Sequence, residues 1–320
     1  MISLDDAVTG FLAHKRALAR KYVSEEAELR LLVRFASEHG VERLEQLSPA
    51  VLDEFLASRQ RSNARSFNHL LGVVGCLLDW SVAQELLECS PLQTRRRRVT
   101  ATRIPFILDA TQARRLLDAA GALSDGSRAP HRGATYRTIF ALCYGLGLRG
   151  GEACALRVGD IDRSRELLIV KGGKFGKSRL VPHGPRIGAL IDEQLNRRIA
   201  GGRLDDQAPL FTFNGHASIS RQAASGTFTQ LARALGFTTP AGLSAPRLHS
   251  LRHSFAVGCL LRWYRQGLDP ASRLHQLSTF MGHVDPISTA VYLTITPTLL
   301  QEANRRYEAF AEPIWTEVLR

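Results

Sequence analysis

The segment RLHSLRHSFA, residues 247–256, places two histidines and one arginine at helical spacing, within a helix predicted over residues 248–264. His249 and Arg252 are three residues apart, so they share one helix face and could engage a single phosphate together. His249 and His253 are four residues apart, as in the metal-binding pair of a zinc protease. Ser250 occupies the position where that motif requires glutamate, so zinc binding is not predicted here.

An arginine surrounded by glycines precedes this segment, in GLGLRGGEACALRVGDID, residues 145–162. Glycine lets the backbone turn sharply and approach a ligand closely, so Arg149 could be presented rigidly to a phosphate. A surface arginine at the start of a helix is the ordinary alternative. Glu152 could orient Arg149, or it could stabilise the N-terminus of the helix with its negative charge.

A β-hairpin is predicted between these two segments, with strands at residues 166–170 and 178–182. Its turn, KGGKFGK, carries Lys171, Lys174 and Lys177. A flexible ammonium group on a turn can enter a nucleic-acid groove and can donate a proton, although solvated turn lysines are the ordinary alternative.

A fourth segment, LSTFMGHVDPISTAVYLTIT, spans residues 277–296. His283 follows a glycine at the end of one predicted helix, and Tyr292 lies nine residues further on in the next. Taken alone, an exposed histidine and a core tyrosine are ordinary features of folded proteins. Each of the four segments therefore supplies a group suited to a phosphodiester, and none is specific by itself.

The charge balance of the chain favours an anionic partner. The 320 residues include 42 Lys and Arg against 30 Asp and Glu, a formal charge of +12. Nucleic acid is the partner that this excess favours, although a basic surface can also serve an anionic membrane or solubility. The apolar runs are too short to cross a bilayer and no secretory signal is evident, so we expect a cytoplasmic protein without a membrane partner. Five cysteines without a C-x-x-C pair predict neither a disulfide framework nor a zinc site.

Apolar spacing predicts a mainly helical protein of two domains. Apolar residues recur every three or four positions from about residue 4 to 87, which predicts a first domain, residues 1–90, of four or five helices. Ser48 and Asn63 stand where two of these helices would begin. Residues 106–320 predict a second, mostly helical domain around the small antiparallel sheet. Its helices are expected at residues 111–120, 134–144, 186–198, 220–235, 248–264, 274–281 and 297–310.

Residues 91–105 are predicted to link the two domains, because Pro91 and Pro105 bracket a stretch in which apolar periodicity stops. Four consecutive arginines occupy this stretch: Arg95, Arg96, Arg97 and Arg98. They form either a solvated basic tether or a segment that crosses a DNA backbone.

The order of these groups is more specific than any one of them. The chain contains R…K…H-x-x-R…G-H…Y, with L-R-x-x-E around Arg149 and K-x-x-K-S-R-L-V-P around the lysine. This pattern resembles the catalytic signature of the tyrosine recombinases, the phage integrase family, from about residue 105 to 310. The helical N-terminal part is similar in position and pattern to the core-binding domain of that family.

The resemblance implies a DNA cleavage reaction and a role for each matching residue. Arg149, Arg252 and His283 would hold the nonbridging oxygens of the scissile phosphate, and Tyr292 would attack phosphorus to form a 3′-phosphotyrosine. Because the energy stays in that covalent bond, the resemblance implies neither ATP nor a nucleotide cofactor nor a metal ion.

The remaining roles are also implied by the resemblance. Lys174 would protonate the departing 5′ oxygen, and His249 would assist removal of the tyrosine proton. Among the three turn lysines, Lys174 is favoured because it lies three residues before K-S-R, as in the family pattern. Lys171, Lys177 and the four linker arginines would contact DNA, and Glu152 would support the first arginine.

The partners that the family implies are double-stranded DNA with a specific recombination site and three further copies of the chain, forming a tetramer on two duplexes. Accessory DNA-bending proteins are further candidates, and the protein would be associated with the nucleoid. The helix over 297–310 would dock on a neighbouring subunit, and residues 262–272, RWYRQGLDPAS, look like an insertion. A type IB topoisomerase and a DNA-binding accessory protein with a decayed site remain alternatives.

Overall fold

The computed structural model describes residues 2–99, 104–172, 178–200, 205–282, 287–293, 300–302, 304–305, 307–308 and 312. The chain divides into two compact units, Met1–Thr102 and Arg103–Arg320. Both units are mainly helical, and the second contains a small antiparallel sheet, which confirms the predicted fold class. None of the described helices combines the length and the apolar composition that crossing a membrane requires.

The described part of the first unit is built from helices packed around one apolar core. They are α1 (Leu4–Ala17), α2 (Val23–Glu38), α3 (Pro49–Ser58) and α4 (Ala64–Ala83). The predicted caps are confirmed, because the Ser48 hydroxyl accepts from the backbone N–H of Val51 and the Asn63 side chain accepts from that of Arg65. Phe11 and Phe55 are fully buried in the core.

The chain after α4 packs back onto this unit as far as Arg97. The Asn68 side chain bonds both backbone groups of Arg97, accepting from its N–H (2.7 Å) and donating to its carbonyl (2.8 Å). The Arg97 guanidinium lies 3.7 Å from the ring centre of Phe67 and donates to the carbonyl of Arg61. Leu92 also packs on the apolar core. Residues 92–97 are thus held by the first unit, whereas the sequence predicts a linker over all of 91–105.

The second unit is organised around one buried helix. Its helices are α5 (Ala110–Gly121), α6 (Arg132–Gly145), α7 (Gly150–Cys154), α8 (Pro185–Ala200), α9 (Arg221–Ala234), α10 (Leu248–Arg265), α11 (Pro270–Met281) and α12 (Ile287–Ala290). Helix α6 packs against α5, α7, α8 and α10. Ile139, Phe140 and Leu142 of α6 are all fully buried, so α6 forms the centre of this core.

The sheet has three antiparallel strands in the order β1 (Ile161–Asp162), β2 (Leu167–Val170) and β3 (Arg179–Pro182). Leu168 lies opposite Val181, and both side chains are fully buried against the core. The predicted hairpin is therefore confirmed to within a residue at each described strand end. Strand β1 and helix α7 were not predicted, because two and five residues are too short to show a periodic pattern.

The stretch 262–272 is regular structure. It completes α10, turns at Gly267 and begins α11, four residues before the predicted start of that helix. Asp269 caps α11 by accepting from the backbone N–H groups of Ala271 and Ser272. Of the helix predicted over 297–310, the described positions 300–302, 304–305 and 307–308 are helical.

We predict that Asn68→Ala frees the backbone at Arg97. The substitution removes the hydrogen bonds to the backbone N–H and C=O of Arg97, so the Arg97 amide should exchange its hydrogen about tenfold faster in heavy water. Hydrogen exchange read by mass spectrometry over residues 92–98 measures this change. Asn214→Ala, in the second unit, is the control and should leave exchange there unaltered. Equal exchange in the wild type and Asn68→Ala would contradict the role of the Asn68 amide.

Candidate active site

Three arginine side chains meet at the C-terminus of α11, where each donates to one of three consecutive backbone carbonyls. The pairs are Arg179 Nε with Phe280 O (3.0 Å), Arg252 Nη2 with Met281 O (2.8 Å) and Arg149 Nη2 with Gly282 O (3.0 Å). The last carbonyls of a helix lack intrahelical partners and carry partial negative charge, so guanidinium groups bind well there. The helix end therefore gathers arginines from three separate segments of the chain.

Arg252 is the most enclosed of the three, with 1% of its surface exposed. Its Nη1 donates to the carbonyl of Gly147 at 2.5 Å. Gly147 has φ +63°, and a Cβ there would lie 2.4 Å from the ring of Phe255, so only glycine fits at this position. Burial lowers the pKa of Arg252 to about 10, and the positive charge of Arg149 acts in the same direction. Arg252 remains charged at neutral pH.

Glu152 lies between the other two arginines and accepts hydrogen bonds from both. It accepts from the side chain (2.6 Å) and the backbone N–H (2.9 Å) of Arg149, and from both Nη atoms of Arg179 (3.1 and 2.8 Å). Burial alone would raise the pKa of Glu152, but the hydrogen bonds from Arg179 and Arg149 and the charge of Arg179 lower it to about 2. Glu152 therefore contacts the Arg149 side chain and also caps the N-terminus of α7.

Arg179 was missed by the sequence analysis, although it belongs to the K-S-R run of the hairpin. It begins β3, and its guanidinium packs against Gly282, where φ is +68° and a Cβ would lie 2.9 Å from Nη1. Through Glu152 and the α11 carbonyl, Arg179 ties the hairpin to the segment that precedes His283. The position of Arg179 in that motif was the only indication in the sequence that it belongs to the site. The fold shows that its side chain contacts Glu152 and the end of α11.

Tyr292 lies in a one-turn 3-10 helix, Val291–Leu293, and is 4% exposed. It packs in a cluster with Leu260, Leu277 and Met281, and its hydroxyl forms a hydrogen bond with Nδ1 of His253 (2.8 Å). Burial raises the pKa of Tyr292, and the charges of Arg252 and Arg149 lower it in part. The phenol is therefore protonated at neutral pH.

His249 lies one turn before His253 on α10, and their rings meet edge to face with centres 4.6 Å apart. His249 is partly open to solvent, but the surrounding protein removes water from part of its ring. This desolvation lowers the pKa of His249 to about 4, and the positive charges of Arg252 and Arg149 act in the same direction. His249 is thus a neutral imidazole at neutral pH. Within the described residues, no group of three His, Cys, Asp or Glu side chains is arranged to hold a metal ion.

The other predicted site residues lie at several places. Lys171 follows β2 and forms an ion pair with Asp160 (2.7 Å). Lys174, Lys177 and His283 lie outside the described residues. The four linker arginines, Arg95 to Arg98, are all exposed, and Arg97 also packs on Phe67 as described above. The structure thus brings Arg149, Glu152, Arg252, His249 and Tyr292 together in one region of the second unit.

A sequence model of the phage integrase family matches residues 107–298, more than half of the chain. The protein belongs to the phage integrase family. Members of this family, the tyrosine recombinases, cleave and rejoin DNA strands through a phosphotyrosine intermediate, so this chain is a site-specific DNA recombinase. The predicted family, activity and DNA partner are confirmed by this match.

Full-length relatives agree with this assignment. The putative integrase/recombinase y4rE of Sinorhizobium fredii is 30% identical over 308 residues, 95% of each chain. The tyrosine recombinase XerC of Xanthomonas campestris is 30% identical over 292 residues, 89% of this chain and 83% of the relative. The structure of the Tn1549 transposon integrase with circular intermediate DNA is similar in fold, with a TM-score of 0.65, 16% identity and coverage of 96% of this chain and 100% of that one.

We predict that the Glu152 carboxylate stabilises the recombinase above the pH at which an unfolded glutamate titrates. Its pKa falls from 4.5 to about 2 on folding, so the stabilisation is fully present above pH 4.5 and is lost as the pH falls towards 2. The shift corresponds to about 3 kcal/mol at most. Glu152→Gln should therefore be markedly less stable than the wild type near neutral pH, and the difference should shrink in acid.

Denaturant unfolding followed between about pH 6 and about pH 3 measures this difference. Glu193→Gln is the control, because the Glu193 side chain is 61% exposed and its ion pair with Arg197 is on the surface. A Glu152→Gln deficit that stays constant across the pH range would show that the ionised form is not what stabilises the fold.

Proposed function

We propose that this recombinase cleaves DNA by attack of the Tyr292 hydroxyl on a phosphate held by Arg149 and Arg252. The observation that carries the proposal is that both guanidinium groups converge on the end of α11, where Tyr292 packs in one cluster with Met281. Two fixed positive charges beside a buried phenol suit a reaction in which negative charge develops on phosphate oxygens.

The chemistry proceeds in one displacement. The bond from Tyr292 Oη to phosphorus forms, the bond from phosphorus to the 5′ oxygen breaks, and a 3′-phosphotyrosine remains. The Tyr292 proton passes to a histidine of α10. Arg149, Arg252 and His283 offset the charge on the nonbridging oxygens, and Lys174 donates a proton to the departing 5′ oxygen. Rejoining is the reverse reaction with a 5′-hydroxyl of another strand.

The charge of the site supports this assignment. Arg149, Arg179 and Arg252 face one carboxylate, Glu152, so this group carries two positive charges more than negative ones. Arg149 is the most open of the three, with 26% of its side chain exposed, against 12% for Arg179. A phosphate would therefore meet Arg149 first, while Arg179 stays within the supporting network and serves as a positioning residue.

The wider assembly is proposed from related structures. The XerH recombinase has been solved bound to its difH substrate, and a lambda integrase dimer bound to a core site. By analogy, we propose that the first unit and the exposed linker arginines contact a specific duplex site, and that four copies assemble on two duplexes. Accessory DNA-bending proteins could act on the same DNA, and the cytoplasmic nucleoid is the expected location.

We predict that Tyr292→Phe abolishes the covalent adduct and retains DNA binding, because the ring keeps its packing and only the nucleophilic oxygen is lost. The protein is incubated with fragmented genomic DNA of its host, denatured and digested with trypsin. After nuclease digestion of the attached strand, mass spectrometry of the wild type should find a nucleotide on the peptide with Tyr292. Tyr264→Phe, on α10, is the control and should form the same adduct. An adduct formed by Tyr292→Phe would move the nucleophile elsewhere.

We predict that Lys174→Ala slows cleavage by about 10²- to 10⁴-fold, as expected for a lost general acid. A substrate with sulfur in place of the 5′ bridging oxygen should restore the rate, because a thiolate leaves without being protonated. The same substrate should not restore Arg149→Ala, whose defect concerns nonbridging charge. Lys171→Ala, which removes the partner of Asp160, should mainly weaken binding. Rescue of Lys171→Ala instead would assign the acid to that lysine.

A further inference from the structure

The hydroxyl of Tyr292 has a specific neighbour that the family pattern of the sequence does not include. His253 Nδ1 lies 2.8 Å from it, and the two rings are 5.5 Å apart at their centres. The residues are 39 positions apart in sequence and meet because the turn Val291–Leu293 packs against α10. This distance is within hydrogen-bond reach, the first requirement for a proton acceptor.

We propose that His253 accepts the proton of Tyr292 as the tyrosine attacks the DNA phosphate. The inference rests on the proposed role of Tyr292 as nucleophile. It makes His253, on the face of α10 that meets Tyr292, a catalytic residue of the strand cleavage reaction. His249, which the family resemblance implies for this task, then helps to form the site around the phosphate.

A proton acceptor is needed because the phenol is buried. Burial raises the pKa of Tyr292 above its ordinary value, so the hydroxyl keeps its proton at neutral pH and is a weak nucleophile. The half-buried His253 ring is hydrogen-bonded to that hydroxyl through its Nδ1 atom. With the other ring nitrogen protonated, Nδ1 accepts the hydrogen bond of the Tyr292 hydroxyl and can take its proton without any movement of either ring.

The hydrogen bond to Tyr292 favours His253 over His249 for this role. An imidazole that accepts a proton becomes positive, and the charges of Arg252, Arg149 and Arg221 already disfavour that form at His249. His253 contacts the His249 ring edge to face on its own helix, and it contacts the Tyr292 hydroxyl from the adjoining turn. The Nδ1 atom of His253 is already hydrogen-bonded to the oxygen that reacts.

The step is balanced in protons and bonds. The proton moves from Tyr292 Oη to His253 Nδ1, the bond from Oη to phosphorus forms, and the bond from phosphorus to the 5′ oxygen breaks. The 5′ oxygen takes its proton from Lys174 under the proposed function. In rejoining, the imidazolium of His253 returns the proton to Tyr292 as the tyrosine leaves, so one full cycle consumes no proton.

The test separates proton transfer from simple positioning. His253→Asn places an amide near the position of Nδ1, so it can keep a hydrogen bond to Tyr292 but cannot accept a proton at neutral pH. With the duplex that the wild type captures on Tyr292 as substrate, adduct formation should slow by about 10²- to 10⁴-fold. His275→Asn, an exposed position on α11, is the matched control and should retain the wild-type rate.

Rescue by a more acidic phenol is the decisive measurement. A ring-fluorinated tyrosine incorporated at position 292 loses its proton more readily, so it should restore much of the rate in His253→Asn. It should not restore Arg149→Ala, whose defect is in phosphate charge. His253→Ala should be rescued in the same way and serves as a second variant should His253→Asn fold poorly.

The outcomes distinguish this inference from the proposal on which it rests. If the wild type forms no adduct on Tyr292, the proposed function is wrong and the inference fails with it. If the adduct forms on Tyr292 but His253→Asn reacts at the wild-type rate, only the inference is overturned. Slow variants that fluorinated tyrosine does not rescue would also overturn it, because His253 would then only hold the ring in place.

Discussion

The second unit depends on the carboxyl end of one helix. The last carbonyls of α11 need donors, and arginines from the turn before α7, from β3 and from α10 provide them. These contacts hold together elements far apart in the chain, and they also set the positions of Arg149 and Arg252. A single electrostatic requirement, the pairing of a helix end with guanidinium groups, therefore organises both the fold around the site and the charge presented to DNA.

Gathering like charges at one point is unfavourable unless something offsets the repulsion. The carboxylate of Glu152 lies between Arg149 and Arg179 and offsets part of their repulsion. The backbone carbonyl of Gly147 accepts a hydrogen bond from Arg252. Two positive charges nevertheless remain in excess, and the pKa of Arg252 is lowered as a result of burial and this repulsion. The folded protein thus keeps a local destabilisation that a bound phosphate would relieve. Such relief is a physical reason for the site to prefer an anion over water.

Much of this architecture could be predicted from the sequence, and the failures have physical causes. The caps at Ser48 and Asn63 and the β2–β3 hairpin follow from local rules, because neighbouring residues determine them. The packing of Arg97 on Phe67 and the inward turn of Arg179 depend on contacts between distant residues. The pairing of His253 with Tyr292 is also of this kind. The motif predicted a set of site residues, but it contained no information on which histidine reaches the phenol.

The electrostatics of the site also explain why a proton acceptor is most needed when DNA is bound. In the free protein, the charges of Arg252 and Arg149 partly offset the effect of burial on the pKa of Tyr292. A phosphate bound to the same arginines would neutralise that charge and withdraw its influence on the phenol. The substrate would thereby make the nucleophile harder to ionise at the moment when it must react. The His253 imidazole in contact with the hydroxyl avoids this conflict, because proton transfer accompanies attack and no free phenolate has to form beside the anionic phosphate.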